Sequence, residues 1–529
     1  MSEIDVEQQA LRSRSGPVHA EVALAGAALA GVALLVFAPH VRHGGFYSDD
    51  WSNASFYRDL GYGDMAVHFW RELIPWRPVL AFLLPLPHAL FGLDPTYHLA
   101  LAGVLATLAS FSFFVLLRAL RLELPHALAL AVLSLVFPWS DALRLWATGS
   151  LNNVALIAYF LGSAAAVRAL GLQRADRYRR VALHGLAAVL YLVSVLTYEV
   201  AAPAILLSGL LYRMRFPWRT LRTRWLVDAA LVLVPLALLI VPTSKARAVG
   251  SPTERATDLP EFVAQGSSVF ASTFLPPGAS SSLLKLLALA AVGGVVGAAI
   301  WRARRDRERE VRKWLLGAAA GTSAVALGHL MFLGYGLYPL SQGLDDRVNA
   351  FAAFGFVVAT YSVLALLSLL VAGRPGHWAA AVLAAGTLLV GLGFVQRVRD
   401  DIARYNSATA QQRDELAALR RLLPRARPGS TIFAFGYPTA SAPGVPIFGN
   451  PWDLTFAVSI FWNDPLLTVV PVGNEVVSCG RTEARPGRYG TEYAAAYGRA
   501  EFVDLSMGSV RYVASRHECL AARAMFAPD

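Results

Sequence analysis

The stretch VALAGAALAGVALLVFA (residues 22–38), followed shortly by GGFYSDDWSNASFYRDL (residues 44–60), decides the fold class. The first stretch carries no charged side chain and comes close to the roughly 20 apolar residues that cross a ~30 Å hydrocarbon core. Arg12 and Arg14 precede it and no small-residue cleavage site follows it, so we expect a retained membrane helix. The second stretch is polar and aromatic, which is typical of a loop at a membrane surface.

The composition of the whole chain is that of a membrane protein. Of its 529 residues, 56% are hydrophobic and only 16% are charged, far from the composition of a soluble chain. Further apolar runs follow the first and give about eleven transmembrane helices in all. The predicted spans are residues 22–38, 99–117, 126–140, 151–167, 181–198, 200–212, 229–243, 284–301, 314–335, 350–372 and 378–395.

Arginine clusters between alternate runs account for the net charge of +11, so this charge indicates topology and no nucleic-acid partner. We assign these clusters to the cytoplasm; they are residues 118–121, 168–180, 213–224 and 302–313. The acidic and aromatic segments between them then face outwards; they are residues 39–98, 139–150, 244–283 and 336–349. We therefore expect a multi-pass plasma-membrane protein with a cytoplasmic N-terminus (residues 1–20), a transmembrane domain (residues 21–398) and an extracytoplasmic C-terminal domain (residues 399–529).

One apolar run, residues 79–93, is interrupted by Pro85 and Pro87. Proline breaks a helix, so this run cannot span as a straight helix. We expect it to dip into the membrane or to lie at its surface.

The tail is polar from about Asp400 and predicts a small α/β domain. Residues 401–423 predict an amphipathic helix ended by Pro424. Strand-like runs follow at residues 431–435, 466–470 and 510–514. The chain has two cysteines, Cys479 and Cys519, both in the tail, where an oxidising compartment would let them form a disulfide. The predicted fold is an all-α polytopic membrane protein with a small C-terminal extracytoplasmic α/β domain.

Asp49 and Asp50 are the most informative polar residues because two adjacent carboxylates near a membrane repel each other. One of them should have a raised pKa, and either could act as a general base or bind Mg²⁺ or Mn²⁺ through oxygen. The alternative is a helix N-cap at Ser48 or Asp49. Nearby histidines match no zinc-binding spacing; they are His40, His43 and His68.

Outer-face arginines are candidate ligands for a lipid phosphate, since a guanidinium group is a planar fork suited to phosphate oxygens. Arg77 and Arg347 are the two candidates, although Arg347 could simply neutralise Asp345 or Asp346. Glu199 lies between two apolar runs at the outer boundary, where it could pair with Arg77, Arg144 or Arg347 or favour a helix N-terminus. Asp141 and Arg144 allow the same two interpretations. The first-loop aromatics, including Trp51 and Trp76, are either interfacial anchors or the lining of a sugar or lipid groove.

Four segments together resemble the C-type-fold membrane glycosyltransferases, the family of the protein mannosyltransferases and their bacterial relatives. They are FYSDDW (residues 46–51), WRPVLAF with HALFGLDPTYHLALAGVLATLAS (residues 76–82 and 88–110), LTYEVAAPAILL (residues 196–207) and DDRVNAFAAFGF (residues 345–356). The resemblance covers residues 20–395 and excludes the tail.

This resemblance implies inverting transfer of a sugar from a polyprenyl-phosphate donor to a glycan, lipid or protein acceptor outside the cytoplasm. Asp49 or Asp50 would be the base or metal ligand, and Glu199 would organise the site. The residues expected to bind substrate or lipid phosphate are Arg77, Arg347, Arg144, Trp51, Trp76, Tyr198, Asp345 and Asp346. The alternatives are a transporter or flippase for a lipid-linked glycan, a polysaccharide polymerase or ligase of another fold, and an inactive scaffold of the same fold. The charged residues lie at one face and not near the midplane, which favours interfacial chemistry over transport.

Overall fold

The computed structural model of the chain describes residues 16–240, 252–306, 308–333, 337–373, 375–424, 427, 429–463, 467–473, 477–487 and 493–526. The ends of the predicted spans 229–243 and 314–335, the first part of the outer segment 244–283 and the start of the strand 466–470 lie outside these residues.

Long helices dominate the chain up to residue 422. In order they are α1 (Gly16–His43), α2 (Asp49–His68), α3 (Pro78–Leu83), α4 (Leu86–Phe91), α5 (Pro95–Ala119), α6 (Leu124–Leu135), α7 (Ala142–Leu145), α8 (Ala147–Ser150), α9 (Asn152–Leu170), α10 (Arg177–Thr197), α11 (Ala202–Leu206), α12 (Ser208–Arg213), α13 (Trp218–Pro235), α14 (Pro252–Ser272), α15 (Ser282–Asp306), α16 (Arg309–Leu330), α17 (Ala352–Ala372) and α18 (His377–Leu422). Short 3₁₀ turns precede α11 (Glu199–Ala201) and α17 (Leu344–Asn349).

Seven helical stretches among the described residues are long and apolar enough to cross a membrane. The stretches Ala147–Leu170 and Ala352–Ala372 lie at the centre of the bundle, because 72% of each apolar window is buried, against 6% for Ser282–Arg305. Every predicted span falls on a helical segment, and the predicted fold class is confirmed. Length and composition alone do not fix the number of spans.

Small residues bring α16 and α17 together. A Cβ atom added at Gly321 would meet the backbone nitrogen of Ala359 at 2.5 Å, and one at Gly355 would meet that of Val325 at 2.6 Å. Because apolar side chains gain little from contacting each other in place of lipid, close backbone packing of this kind stabilises helix pairs in membranes.

Three segments differ from the sequence prediction. The predicted span 126–140 is shorter, because α6 ends at Leu135. Residues 200–212 were predicted as one helix, but α11 and α12 are separate short helices that break at Leu207. Residues 377–422 form one continuous helix, where a span and a separate amphipathic helix were expected. No proline or glycine lies between the two expected helices, so nothing stops the backbone hydrogen-bond ladder there.

The run 79–93 forms α3 and α4, two helices that meet at Pro85. Six residues of helix extend only about 9 Å, so neither helix crosses a bilayer by itself.

The tail forms a small α/β domain. Its elements are β1 (Thr431–Phe435), β2 (Ala440–Ala442), β3 (Val445–Pro446), α19 (Pro451–Trp462), β4 (Thr468–Gly473), β5 (Val477–Cys479), β6 (Glu483–Pro486), β7 (Ala495–Ala496), β8 (Ala500–Asp504), β9 (Ser509–Val513) and α20 (Arg516–Phe526). The main sheet has the order β4-β1-β8-β9, with β1 parallel to β4 and β8 and with β9 antiparallel to β8. Cys479 and Cys519 form a disulfide between β5 and α20.

Candidate active site

A cavity of about 500 Å³ lies where the first outer loop, the α10–α11 turn and the turn before α17 meet. Much of its wall is apolar, including Phe56, Leu80 and Phe332. Six of the residues predicted from sequence line it: Asp49, Trp76, Arg77, Tyr198, Glu199 and Arg347. Segments that are far apart in the sequence therefore place two carboxylates and two guanidinium groups in the wall of the same cavity. The carboxylates belong to Asp49 and Glu199.

Asp49 presents its carboxylate to this cavity from the first turn of α2. Burial raises the pKa of Asp49, and three groups oppose that rise: the positive charge of Arg347 and side-chain hydrogen bonds from Trp452 and Ser48. A carboxylate with a raised pKa is a stronger base, because its conjugate acid holds the proton more firmly.

Asp50 points away from the cavity and is 1% exposed. One carboxylate oxygen accepts a hydrogen bond from the backbone N–H of Tyr47 at 3.0 Å. The other accepts from the backbone N–H of Thr148 at 2.7 Å and from the Thr148 hydroxyl at 2.5 Å. Burial raises the pKa of Asp50 to about 7. Asp50 thus joins the start of α2 to α8.

Arg77 and Glu199 form a two-pronged ion pair at the cavity wall. The Arg77 Nε and Nη2 groups donate to the two Glu199 oxygens at 2.8 and 2.7 Å. The guanidinium group also lies 4.3 Å from the centre of the Tyr198 ring. Of the three partners considered for Glu199 from the sequence, the structure pairs it with Arg77. The pair connects the start of α3 to the turn between α10 and α11.

Arg347 is held more loosely at another part of the wall. Its guanidinium group lies 3.4 Å from Asp345, whose side chain is 46% exposed, and stacks 5.3 Å from the centre of the Trp146 ring. An exposed surface ion pair contributes little energy, so Arg347 can exchange Asp345 for a stronger anion at low cost.

Asp346 and Arg144 lie outside the cavity lining and are buried. The Asp346 oxygens accept from the backbone N–H groups of Asp141 and Ala142, both at 3.0 Å, and burial raises the pKa of Asp346 to about 7. Arg144 donates to backbone carbonyls at the end of α6, including Leu135 at 2.7 Å. It satisfies helix-end carbonyls that would otherwise lack partners.

Trp51 also lies outside the cavity lining. It packs against Phe46 and against two residues of the tail domain, Phe448 and Phe461, at ring distances between 5.5 and 6.3 Å. The histidines considered from the sequence do not gather around the acidic pair. His40 bonds to Asn406 and to the carbonyl of Leu145.

Sequence reasoning missed five contributors to the site whose side chains carry a polar group. The cavity is also lined by Ser52, Asn53, Trp146, Thr148 and Asn152. The last three lie in or beside the short polar segment WATGS that separates two apolar runs, and that segment was a usable signal.

No group of three or more His, Cys, Asp or Glu side chains could hold a metal ion within the part of the chain that the structure describes. Both oxygens of Asp50 are engaged by Tyr47 and Thr148, so Asp49 is the member of the pair that faces the cavity. Mg²⁺ is often held by one or two carboxylates together with substrate phosphates. A cation bound at Asp49 stays a prediction from the sequence.

No protein-family model and no curated protein sequence matches the chain. Among solved structures, it is similar to the oligosaccharyltransferase of Archaeoglobus fulgidus tethered with an acceptor peptide, with 13% identity and a TM-score of 0.40. That similarity covers 84% of this chain and 64% of the archaeal chain. The chain is also similar to ArnT from Cupriavidus metallidurans bound to undecaprenyl phosphate, with 14% identity, a TM-score of 0.35 and coverage of 83% and 85%.

Both neighbours are glycosyltransferases of the C-type fold, the family that the sequence resembles. Similarity with such low TM-scores gives no information on the donor, acceptor or site residues of this chain.

Proposed function

We propose that this chain is a membrane glycosyltransferase that moves a sugar from a polyprenyl-phosphate donor to an acceptor on the extracytoplasmic side. The observation that carries the proposal is the shared cavity of Asp49 and Arg347 at the ends of apolar helices. The arginine clusters in the sequence predict that these ends lie outside the cytoplasm. A carboxylate and a guanidinium group in one cavity are the two groups that such a transfer needs.

In this mechanism, Asp49 accepts the proton of the acceptor hydroxyl. The hydroxyl oxygen attacks the anomeric carbon from the face opposite the phosphate, and the bond from that carbon to the phosphate oxygen breaks. The electron pair leaves with the polyprenyl phosphate, so the configuration at the anomeric carbon inverts. Arg347 holds the leaving phosphate by exchanging Asp345 for it, while Glu199 keeps Arg77 in place beside it.

The cavity wall supports a donor with both a sugar and a lipid part. Trp76 lines the cavity and offers an aromatic ring on which the apolar face of a sugar can stack, whereas the Tyr198 ring is stacked against Arg77. Apolar residues such as Leu80 and Phe332 lie beside them and suit an isoprenoid chain. The acceptor is a hydroxyl group of a glycan, a lipid or a protein, and Asp49 acts in the same way on each.

The test is sugar transfer from radiolabelled polyprenyl-phosphate sugars in membranes that contain the chain. Asp49→Asn should lower the rate by about 10²- to 10⁴-fold, the usual contribution of a general base. Arg347→Ala should raise the donor KM by about 10- to 100-fold, because a hydrogen bond to a charged group is lost. Asp64→Asn is the matched control, since Asp64 is an exposed carboxylate beyond the Gly61 kink of α2 and outside the cavity lining.

Full transfer by Asp49→Asn would contradict the assigned base. Absence of transfer by the wild-type chain with every donor would overturn the proposed reaction. Movement of a lipid-linked glycan across vesicles containing the chain would then indicate a transporter or flippase, and absence of both activities would indicate a scaffold.

A further inference from the structure

A second cavity, of about 400 Å³, lies between α14, α16 and α17. Cavities that bind small molecules in proteins usually measure about 300–1,000 Å³. Among the described residues, none lines both this cavity and the candidate active site, although the chain around residues 329–333 contributes to each. The described lining of the second cavity contains no Asp, Glu, Lys or Arg side chain. Because an unpaired charge is costly in apolar surroundings, this cavity suits an uncharged ligand.

The second cavity has an apolar edge that is open. Leu259, Val263 and Leu330 line the cavity and are themselves exposed. Phe262 and Phe356 also line it and are buried, so they form its inner part. An aliphatic chain can therefore pass between α14 and α16 along apolar side chains, and close van der Waals contact with them stabilises the bound chain.

His329 brings a hydrogen-bond acceptor to this apolar wall. The residue is 6% exposed, and its Nε2 lies 2.9 Å from the side-chain oxygen of Asn349. The Asn349 amide nitrogen donates to the carbonyls of Trp139 and Leu340 at 2.7 and 2.8 Å, so the atom that faces His329 is the oxygen, which can only accept. The described lining offers no carboxylate to balance a charged ring, so the ring is neutral. Its proton therefore lies on Nε2, and Nδ1 is left as an acceptor.

The Nδ1 atom of His329 meets the second cavity without a partner. It makes no hydrogen bond to any residue within the described parts of the chain. It lies 3.8 Å from the place that a Cβ atom would take on Gly266, which lines the cavity. The rings of Phe262 and Phe356 flank the imidazole, with centres 5.5 and 5.8 Å from its own. An acceptor without a donor is unfavourable in such surroundings, and a ligand hydroxyl group would satisfy it.

We propose that the second cavity binds an uncharged lipid that carries a hydroxyl group. The aliphatic chain lies between α14 and α16, and the O–H group donates to Nδ1 of His329. A phosphate group does not fit, because it brings negative charge to a lone pair and finds no Lys or Arg among the described lining residues. The second cavity therefore differs in its ligand from the proposed donor site, which Arg77 and Arg347 line. This inference goes beyond the proposed function and does not depend on it.

The test measures lipid binding to the purified full-length chain in detergent. The probe is hexadecanol with a photoactivatable diazirine in its chain, and mass spectrometry locates the attached label. We expect the label on residues of α14 and α16 that line the second cavity. The methyl ether of the same probe has no O–H group and should bind about tenfold more weakly, because one hydrogen bond is lost. Hexadecyl phosphate should compete with the probe more weakly than unlabelled hexadecanol does.

Two variants separate the space of the cavity from its acceptor. Gly266→Leu fills the space without removing a hydrogen bond, and a Cβ atom fits there because its nearest neighbours lie at 3.8 Å. This variant should abolish the label. Ala264→Leu is the matched control, since Ala264 is exposed on the same helix and lies outside the lining. His329→Phe keeps a ring without an acceptor, so hexadecanol and its methyl ether should bind to it equally.

Equal binding of hexadecanol and its methyl ether to the wild-type chain would overturn the proposal, as would unchanged labelling of Gly266→Leu or a hydroxyl preference that survives in His329→Phe. Stronger competition by hexadecyl phosphate than by hexadecanol would also overturn it and would indicate a lipid-phosphate site. Arg347→Ala should leave the labelling unchanged, because Arg347 lines the other cavity. The labelling needs no sugar transfer, so a chain without transfer activity would overturn the proposed function and leave this inference intact.

Discussion

Asp49 and Asp50 are consecutive residues with opposite surroundings. A helix rotates successive side chains by about 100°, so two neighbours in the first turn of α2 leave the helix in different directions. Asp49 faces the cavity, whereas Asp50 accepts three hydrogen bonds from Tyr47 and Thr148. Through these hydrogen bonds, Asp50 fixes the start of α2, from which Asp49 faces the cavity.

Asp50→Ala should therefore destabilise the protein much more than Asp49→Ala does. The change leaves three buried donors without an acceptor, and each such donor costs about 1–3 kcal/mol unless water reaches it. Thermal unfolding in detergent measures the difference, with Asp49→Ala as the matched control. Equal unfolding temperatures for the two variants would contradict the structural role of Asp50.

At the residue scale, the sequence predicts that the acidic pair and the two outer arginines belong to the site. It does not predict which of these side chains faces the cavity. Which of two adjacent carboxylates faces the cavity depends on where α2 begins, and helix starts are uncertain by a few residues in sequence reasoning. Arg144 and Asp346 looked like candidates for the site because charges near a membrane are costly. They instead satisfy backbone groups at the ends of helices, contacts that no local pattern reveals.

The Arg77–Glu199 pair acts between elements, because it joins the start of α3 to the α10–α11 turn. Its side chains are only 21% and 14% exposed, so either charge left alone is poorly solvated. We expect Arg77→Gln and Glu199→Gln each to lower the free energy of unfolding. The double variant should lose about 1–3 kcal/mol less than the sum of the two single losses. A double-mutant cycle of thermal unfolding measures this coupling energy, and additive effects would contradict it.

The sequence predicts the positions of helices better than the points at which helices break. Apolar runs mark most of the long helices, but α14 lies in the predicted outer segment 244–283. The break at Leu207 has no adjacent proline or glycine in the sequence that would predict it. Strand β8 was missed because all five of its residues are buried, including Glu501 and Asp504, so it shows no alternation of polar and apolar residues. Helix α19 was missed although Asn450 and Pro451 form a recognisable helix start.

At the scale of the whole molecule, the tail domain and the membrane helices form one contact surface around the cavity. Residues 444–461 pack against residues 51–58 and 343–344, which are far away in the sequence. Contacts of this range leave no periodic signal in a single sequence. The composition and the apolar runs therefore predict the two parts of the chain, and only the structure shows how they meet.

The arginine clusters predict the side of the membrane on which the tail lies, and the disulfide of the tail allows a test. Cys479 and Cys519 are bonded across a separation of 40 residues, and a bridge of this kind contributes about 2–4 kcal/mol in an oxidising compartment. In intact cells, a membrane-impermeant maleimide should label Cys479 only after treatment with an impermeant reductant, whereas Cys519 is buried and should stay unlabelled in the folded domain.

The matched control places one new cysteine in a predicted cytoplasmic loop of a chain without the natural pair, as Arg179→Cys with Cys479→Ser and Cys519→Ser. This cysteine should react only after the cells are permeabilised, because positively charged loops are retained in the cytoplasm. If Cys479 also required permeabilisation, the tail would be cytoplasmic. The cavity would then open on the cytoplasmic side, and transfer to an extracytoplasmic acceptor would be impossible for this chain.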